Sequence, residues 1–178
     1  MDRPIFWITG APASGKTTLC RALAEKYELS MHIPVDDLRA WVIGGLSESV
    51  EWTDETERQF CIAEEATCDL VLRYHQNGFV VIIDHCRNLQ RLETLLSSRL
   101  PLSQLVKVCL SPSLEVNQLR NSTRKNKDFD PLELTGIIDH MNSSLRENVP
   151  QGWHMIDNTE MTVERTVERV ISIADQRG

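Results

Sequence analysis

Residues 10–18 carry the densest chemistry in the sequence: Gly10, Ala11, Pro12, Ala13, Ser14, Gly15, Lys16, Thr17 and Thr18. The spacing is G-x-x-x-x-G-K-[ST], and the chemistry it serves is the holding of phosphates. A triphosphate needs many donors converging on one small volume. Gly10 and Gly15 let the backbone turn and come close without a Cβ in the way. The loop N–H groups then form a concave anion nest, to which a helix start adds its partial positive charge. Lys16 supplies a point charge for the β- and γ-phosphates, the Thr17 hydroxyl is placed to ligate Mg²⁺, and Thr18 is placed for a further phosphate contact.

Two carboxylates stand where a second half of such chemistry belongs. Asp36 follows the short run Met31–Val35. A carboxylate there can orient an attacking hydroxyl or accept its proton, and it can equally cap the helix that starts at Asp37; the two roles are compatible. Asp37 reads as a solvated first-turn acid. Asp84 ends the β-branched run Val80–Ile83. A carboxylate at a buried strand end can hold Mg²⁺ directly or through water, while the plainer reading is a turn carboxylate bonding nearby N–H groups. His85 beside it reads as a structural histidine.

Arg120, Arg124, Lys125 and Lys127 form the dense basic run of the chain. Guanidinium groups suit triphosphates because they are planar forks of donors. The run reads as a lid over about residues 120–130 that closes on ATP, against the alternative of a solvated loop. Asn126-Lys127-Asp128 lacks the final acid of a guanine-reading N-K-x-D, since Phe129 follows. Arg39 shares a helix face with Asp36, where it either holds an anionic group of an acceptor or pairs with Asp36. Trp41 and Trp52 flank Gly44-Gly45, as stacking surfaces or as loop anchors.

The elements that must position these residues alternate. Pro4–Thr9 reads as a buried strand before the loop, and 17–27 as a helix with Leu19, Ala22 and Leu23 inward. Strand 31–35 leads to a helix reaching about Ile43, then an exposed loop over 44–53. Asp54-x-x-Glu57 resembles a capping box for a helix to about Gln76, with Phe60, Ala63, Thr67, Leu70, Val71 and Tyr74 as its buried stripe. Strand 79–83, helix 88–99 and strand 105–110 follow. Ser111-Pro112 reads as the cap of a helix to Ser122, and Asp130-Pro131-x-Glu133 as the cap of one to Arg146. Strand 153–156 and helix 162–175 close the chain. Strands alternating with helices indicate an α/β fold with a parallel sheet covered on both faces. Gly10, Asp36, Asp84, Ser111 and Asp157 all follow strand ends and are expected to ring one crevice.

The chain has 178 residues, 41% apolar and 25% charged, which suits a single globular domain. A net charge of −7 argues against an extended nucleic-acid or membrane surface. Five cysteines without C-x-x-C spacing read as reduced thiols of a cytoplasmic protein rather than a metal cluster. The first strand begins almost at once, which leaves no room for a signal peptide, and no apolar run has membrane-spanning length.

The loop at 10–18, Asp36 with Arg39, Asp84 after its strand and the basic segment together resemble the P-loop small-molecule and polynucleotide kinases, the group with gluconate-kinase-like, chloramphenicol-phosphotransferase-like and zeta-toxin-like members. Val35-Asp36 and Ile82-Ile83-Asp84 are similar to chloramphenicol phosphotransferase. Asp36-Asp37-Leu38-Arg39 and Arg120-Asn-Ser-Thr-Arg124 are similar to phage polynucleotide kinase. The resemblance implies a P-loop NTPase three-layer sandwich with a five-stranded parallel sheet in the order 2-3-1-4-5. It implies ATP and Mg²⁺, Asp36 as base, Arg39 on the acceptor, Arg120 and Arg124 on the phosphates, and Asn158-Thr159 near the nucleotide base. The expected function is ATP-dependent transfer of the γ-phosphoryl group to a hydroxyl, with a small molecule as acceptor. A polynucleotide 5′-hydroxyl and an ATPase or switch without acceptor are the alternatives; monomer and homodimer both stay open.

Overall fold

The computed structural model describes residues 3–49, 51–123 and 131–176. In chain order the elements are β1 (Ile5–Gly10), α1 (Lys16–Ala24), β2 (Ser30–Pro34), α2 (Val35–Arg39), α3 (Asp54–Gln76), β3 (Val80–Asp84) and α4 (Leu89–Arg99). Then come β4 (Leu105–Leu110), α5 (Leu114–Ser122), α6 (Thr135–Ser144), β5 (Trp153–Ile156) and α7 (Val163–Asp175). The five strands form one sheet in the order β2-β3-β1-β4-β5, and every neighbouring pair is parallel. This is the expected three-layer arrangement.

The central strands are apolar because both of their faces are covered. All residues of β1, β3 and β4 are buried. Side chains alternate across the sheet, so Ile5 and Trp7 pack with Ala63, Val71, Leu92 and Leu96 of α3 and α4. Phe6 and Ile8 pack on the opposite face with Leu19 and Leu23 of α1 and Val167, Val170 and Ile173 of α7. Register aligns the strand ends: Ile8 lies opposite Asp84, Gly10 opposite Leu110, and Pro34 opposite Asp84. The residues that leave β1, β2 and β3 therefore emerge at one edge of the sheet.

Several boundaries differ from the sequence reading. The cap of α3 is Thr53 rather than Asp54, and Thr53 and Thr56 satisfy each other's N–H groups in a capping box. Ser113, not Ser111, caps α5 by accepting from Val116 N. Residues 131–134 form a 3₁₀ turn ahead of α6, and Asp130 lies outside the described residues. The helix after β2 ends at Arg39 instead of reaching Ile43. The reason is physical: Trp41, Val42 and Ile43 are exposed, and an isolated helical turn without a packed face is marginal in water.

Candidate functional site

The P-loop begins at the end of β1 and closes on the first turn of α1. Gly10 has φ +148°, and a Cβ there would meet Leu110 O and Ser14 Oγ at 2.6 Å each. Gly15 caps α1 with φ +99° and without a side-chain hydrogen bond. The first N–H groups of α1 thus point out of the helix unclaimed by a cap, the arrangement that suits an anion. Lys16 is 9% exposed and donates to Gly10 O and Ala11 O at 3.0 Å each. An ammonium has three donors, so one remains for a ligand.

Side chains from distant elements hold this loop. Asn117 Nδ2 donates to Pro12 O at 2.9 Å, and Asn158 Nδ2 donates to Ser14 O at 3.0 Å. Arg120 bridges Ser14 O and Asn158 O at 3.3 and 3.1 Å. The P-loop, β5 and the end of α5 are therefore fastened together through backbone carbonyls. Arg124, Lys125 and Lys127 lie outside the described residues, so the basic segment is represented here by Arg120 alone.

Asp84 faces the loop from the neighbouring strand. Thr17 Oγ1 donates to Asp84 Oδ2 at 2.5 Å, and His32 Nε2 stands 3.8 Å from the same oxygen. Burial pushes the Asp84 carboxyl up, but His32, Lys16 and Thr17 together hold it below its ordinary value. It is a carboxylate at neutral pH. The hydroxyl of Thr17 and this carboxylate are hard oxygen donors in direct contact, a pair that fits Mg²⁺.

One cavity of about 950 Å³ joins these groups to the second half of the site. Its lining includes Lys16, Thr17, Asp84, Arg120 and Asn158 on one side and Asp36, Arg39, Trp52 and Phe60 on the other. Cys86 lines it between them. Burial pushes its thiol up to about 11, with Lys16, Asp36 and Asp84 all close enough to act on it. Of the residues expected to ring the crevice, Asp36 and Asp84 line this cavity, while Gly10, Ser111 and Asp157 do not. The Ser111 carbonyl accepts from Arg146, and Asp157 closes its own turn through Thr159. A strand end brings a residue to this edge of the sheet, but that alone does not place it in the cavity, as the local turn of Asp157 illustrates.

The cavity wall around Arg39, Trp52 and Phe60 is a stack of rings and cations. Trp52 lies parallel to Phe60 at 5.0 Å between centroids. The Arg39 guanidinium sits 4.5 Å above Phe60, and that of Arg87 sits 4.8 Å from Trp52. Arg39 Nη1 donates to Ser47 O at 2.6 Å, so it ties down the segment after α2 instead of pairing with Asp36. Trp52 anchors its loop through Nε1, which donates to Glu57 at 3.1 Å, while 49% of the residue stays exposed. Trp41 is 75% exposed.

Sequence reasoning missed what holds this wall. Glu64 of α3 is fully buried and binds His85 Nε2 at 3.0 Å, Arg87 Nε at 2.7 Å and Arg91 Nη2 at 3.2 Å. Arg87 also pairs with Glu57 at 2.7 Å. The available signal was position: Glu64 follows Phe60 by one helical turn and so belongs to the buried stripe. Burial pushes the Glu64 carboxyl up, but His85 and Arg87 more than offset this and hold it at about 2. A carboxylate depressed in the folded state stabilises the fold above its unfolded value, near 4.5, and that stabilisation is lost as pH falls toward 2. Glu64→Gln is expected to cost about 3 kcal/mol by leaving buried cations uncompensated. Urea unfolding at neutral pH and at pH about 3 measures it; the gap between wild type and variant should shrink at the lower pH.

The sheet order and the phosphate-binding loop at its centre define a P-loop kinase fold. The chain belongs to the AAA_18 family, whose model, described as AAA domain, matches residues 7–135. A sugar kinase from Janibacter sp. HTCC2649 superposes with a TM-score of 0.71 at 18% identity, covering 97% of this chain and 95% of that one. A gluconokinase from Sinorhizobium meliloti 1021 gives 0.70 at 17% identity, covering 98% and 93%. The tunicamycin resistance protein of Deinococcus radiodurans gives 0.69 at 18% identity, covering 96% and 94%. No curated protein matches the sequence significantly. None of the helices in the described residues is long and apolar enough to cross a membrane.

Proposed function

We propose that this protein is an ATP- and Mg²⁺-dependent kinase that transfers the γ-phosphoryl group to a hydroxyl of a small molecule. The observation that carries this reading is the shared cavity: phosphate-holding groups and a free-standing carboxylate, Asp36, line one space of about 950 Å³. Its volume lies at the upper end of the range for small-molecule sites. That suits a nucleotide with a second small molecule better than an extended polymer. The kinase neighbours and the chain's acidity favour the same reading.

In this proposal the loop N–H groups and Lys16 bind the β- and γ-phosphates, and Arg120 with Asn158 closes the nucleotide side. Met161 and Val163 offer the nucleotide base an apolar seat in the same cavity. Thr17 and Asp84 would hold Mg²⁺, which neutralises charge on the phosphate oxygens when bound. Asp36 orients the acceptor hydroxyl and takes its proton. The hydroxyl oxygen bonds to the γ-phosphorus, the bond to the β–γ bridging oxygen breaks, and ADP leaves. Arg124 belongs in this scheme as a lid cation, and residues 1–178 act as one kinase domain with the lid at about 120–130.

The test is a screen for acceptor-dependent conversion of ATP to ADP across hydroxylated metabolites, antibiotics and 5′-hydroxyl oligonucleotides. Turnover stimulated by a small hydroxyl compound supports the proposal. Stimulation by oligonucleotides alone would replace it with the polynucleotide reading. Trp52→Ala is expected to raise the acceptor KM about tenfold, equivalent to roughly 1.4 kcal/mol, with the KM for ATP little changed. Initial rates with each substrate varied in turn check this.

A further inference from the structure

Asp84 has a second set of neighbours that phosphotransfer does not use. Cys20 from α1 and His32 from β2 converge on it from within the protein. A sulfur of Cys20, an imidazole nitrogen of His32 and a carboxylate oxygen of Asp84 all lie within 4.8 Å of one another. Cys20 is fully buried, and the His32 side chain is 13% exposed. Their polar atoms are poorly employed. Among the described residues His32 Nε2 is buried without a hydrogen-bond partner, standing 3.8 Å from Asp84 Oδ2. Among the described residues the Cys20 thiol donates to Ile83 O, at the long distance of 3.9 Å. Buried polar side chains are ordinarily paired, so an under-used imidazole and thiol beside a carboxylate call for an explanation.

We propose that Cys20, His32 and Asp84 form a site for a thiophilic divalent cation of the Zn²⁺ class, which competes for Asp84 and switches phosphotransfer off. One sulfur, one nitrogen and one oxygen donor suit zinc and not magnesium, which prefers oxygen alone. Zinc–ligand bonds of about 2.0–2.3 Å place tetrahedral ligands roughly 3.5 Å apart, so the three atoms need to draw in by about 1 Å. Asp84 lines the cavity and supplies the entry path, while Cys20 and His32 wait behind it. The oxygen that faces His32 is the same Oδ2 that accepts from Thr17, so one oxygen serves either the magnesium pair or the inner site. Binding replaces the thiol proton of Cys20, which leaves to solvent, and the thiolate becomes the ligand. The inhibitory half rests on the phosphotransfer reading; the binding half does not.

Co²⁺ added alone to the full chain is the probe, because a thiolate–cobalt bond gives a charge-transfer absorption band. Wild type is expected to show the band and to lose it on addition of Zn²⁺. Cys20→Ala should lack it, and His32→Gln should weaken Co²⁺ binding at least about tenfold. Circular dichroism and urea unfolding verify that both variants fold. Absence of the band in wild type overturns the site, and so does its persistence in Cys20→Ala, where another of the cysteines would be its source. With ATP, Mg²⁺ and an acceptor present, Zn²⁺ should inhibit wild type and spare Cys20→Ala; equal inhibition of both overturns the switch. A wild-type band in a protein that turns over no acceptor would count against the phosphotransfer reading and leave the metal site standing.

Discussion

Lys16→Ala is expected to lower phosphoryl transfer by about 10²–10³-fold and to weaken ATP binding as well. Lys16 is the one ammonium of the P-loop, and it is nearly buried at the first residue of α1. In the proposed mechanism its charge meets the negative charge that accumulates on the γ-phosphoryl oxygens, inside a cavity where water screens it poorly. Alanine keeps the helix intact, because α1 is held by Leu19, Cys20 and Leu23 against the sheet. The loss should therefore fall on binding and chemistry and not on folding. Isothermal titration with ATP, turnover at saturating acceptor and a circular-dichroism spectrum separate the three. Wild-type ATP affinity and turnover in this variant would remove the P-loop from the mechanism.

Asp36→Asn is expected to reduce kcat by about 10²–10⁴-fold, the range for losing a positioned general base, with ATP affinity within about twofold of wild type. The amide keeps the shape of the carboxylate and can still accept a hydrogen bond, but it takes no proton. Asp36 is exposed to the cavity in the first turn of α2, so its replacement disturbs no packed contact. The contrast with Lys16→Ala is the informative part. Loss of a proposed phosphate contact is expected to change ATP affinity and rate together, whereas loss of the proposed base changes rate and leaves ATP affinity in place. Transfer at the wild-type rate in Asp36→Asn would take Asp36 out of the mechanism.

The phosphate side was legible in the sequence because its chemistry is local. Nine consecutive residues carry the loop, and the apolar runs of β1 and β3 place it and Asp84 at the same sheet edge. The strand order follows from the resemblance that those motifs carry. The wall proposed to face the acceptor was less legible because its supports come from separated elements. Glu64 joins α3 to His85 and Arg87, and an apolar-stripe reading of α3 passes over a charged residue on the buried face. Asn117 anchors Pro12 from 105 residues away, a contact with no local signature. Arg39 reads from the sequence as a holder of an acceptor anion or a partner of Asp36, whereas its bond to Ser47 and its stacking on Phe60 depend on how the chain after α2 folds back. That segment contains Trp41, Ile43 and Gly45, whose patterning specifies neither helix nor strand. His32 and Cys20 were invisible as a pair, since one lies on an edge strand and the other on the inner face of α1.

In the proposed mechanism, donor and acceptor halves of one phosphotransfer site face each other across the cavity between Thr17–Asp84 and Asp36. The most direct test of this is to incubate wild type and Asp36→Asn with ATP, Mg²⁺ and the best acceptor from the screen, and to quantify ADP, inorganic phosphate and phosphorylated acceptor by mass. Equimolar ADP and phosphorylated acceptor are expected with wild type, and both reduced about 10²–10⁴-fold with Asp36→Asn although ATP still binds. ADP released with inorganic phosphate, at a rate indifferent to any hydroxyl compound and to Asp36→Asn, would contradict it.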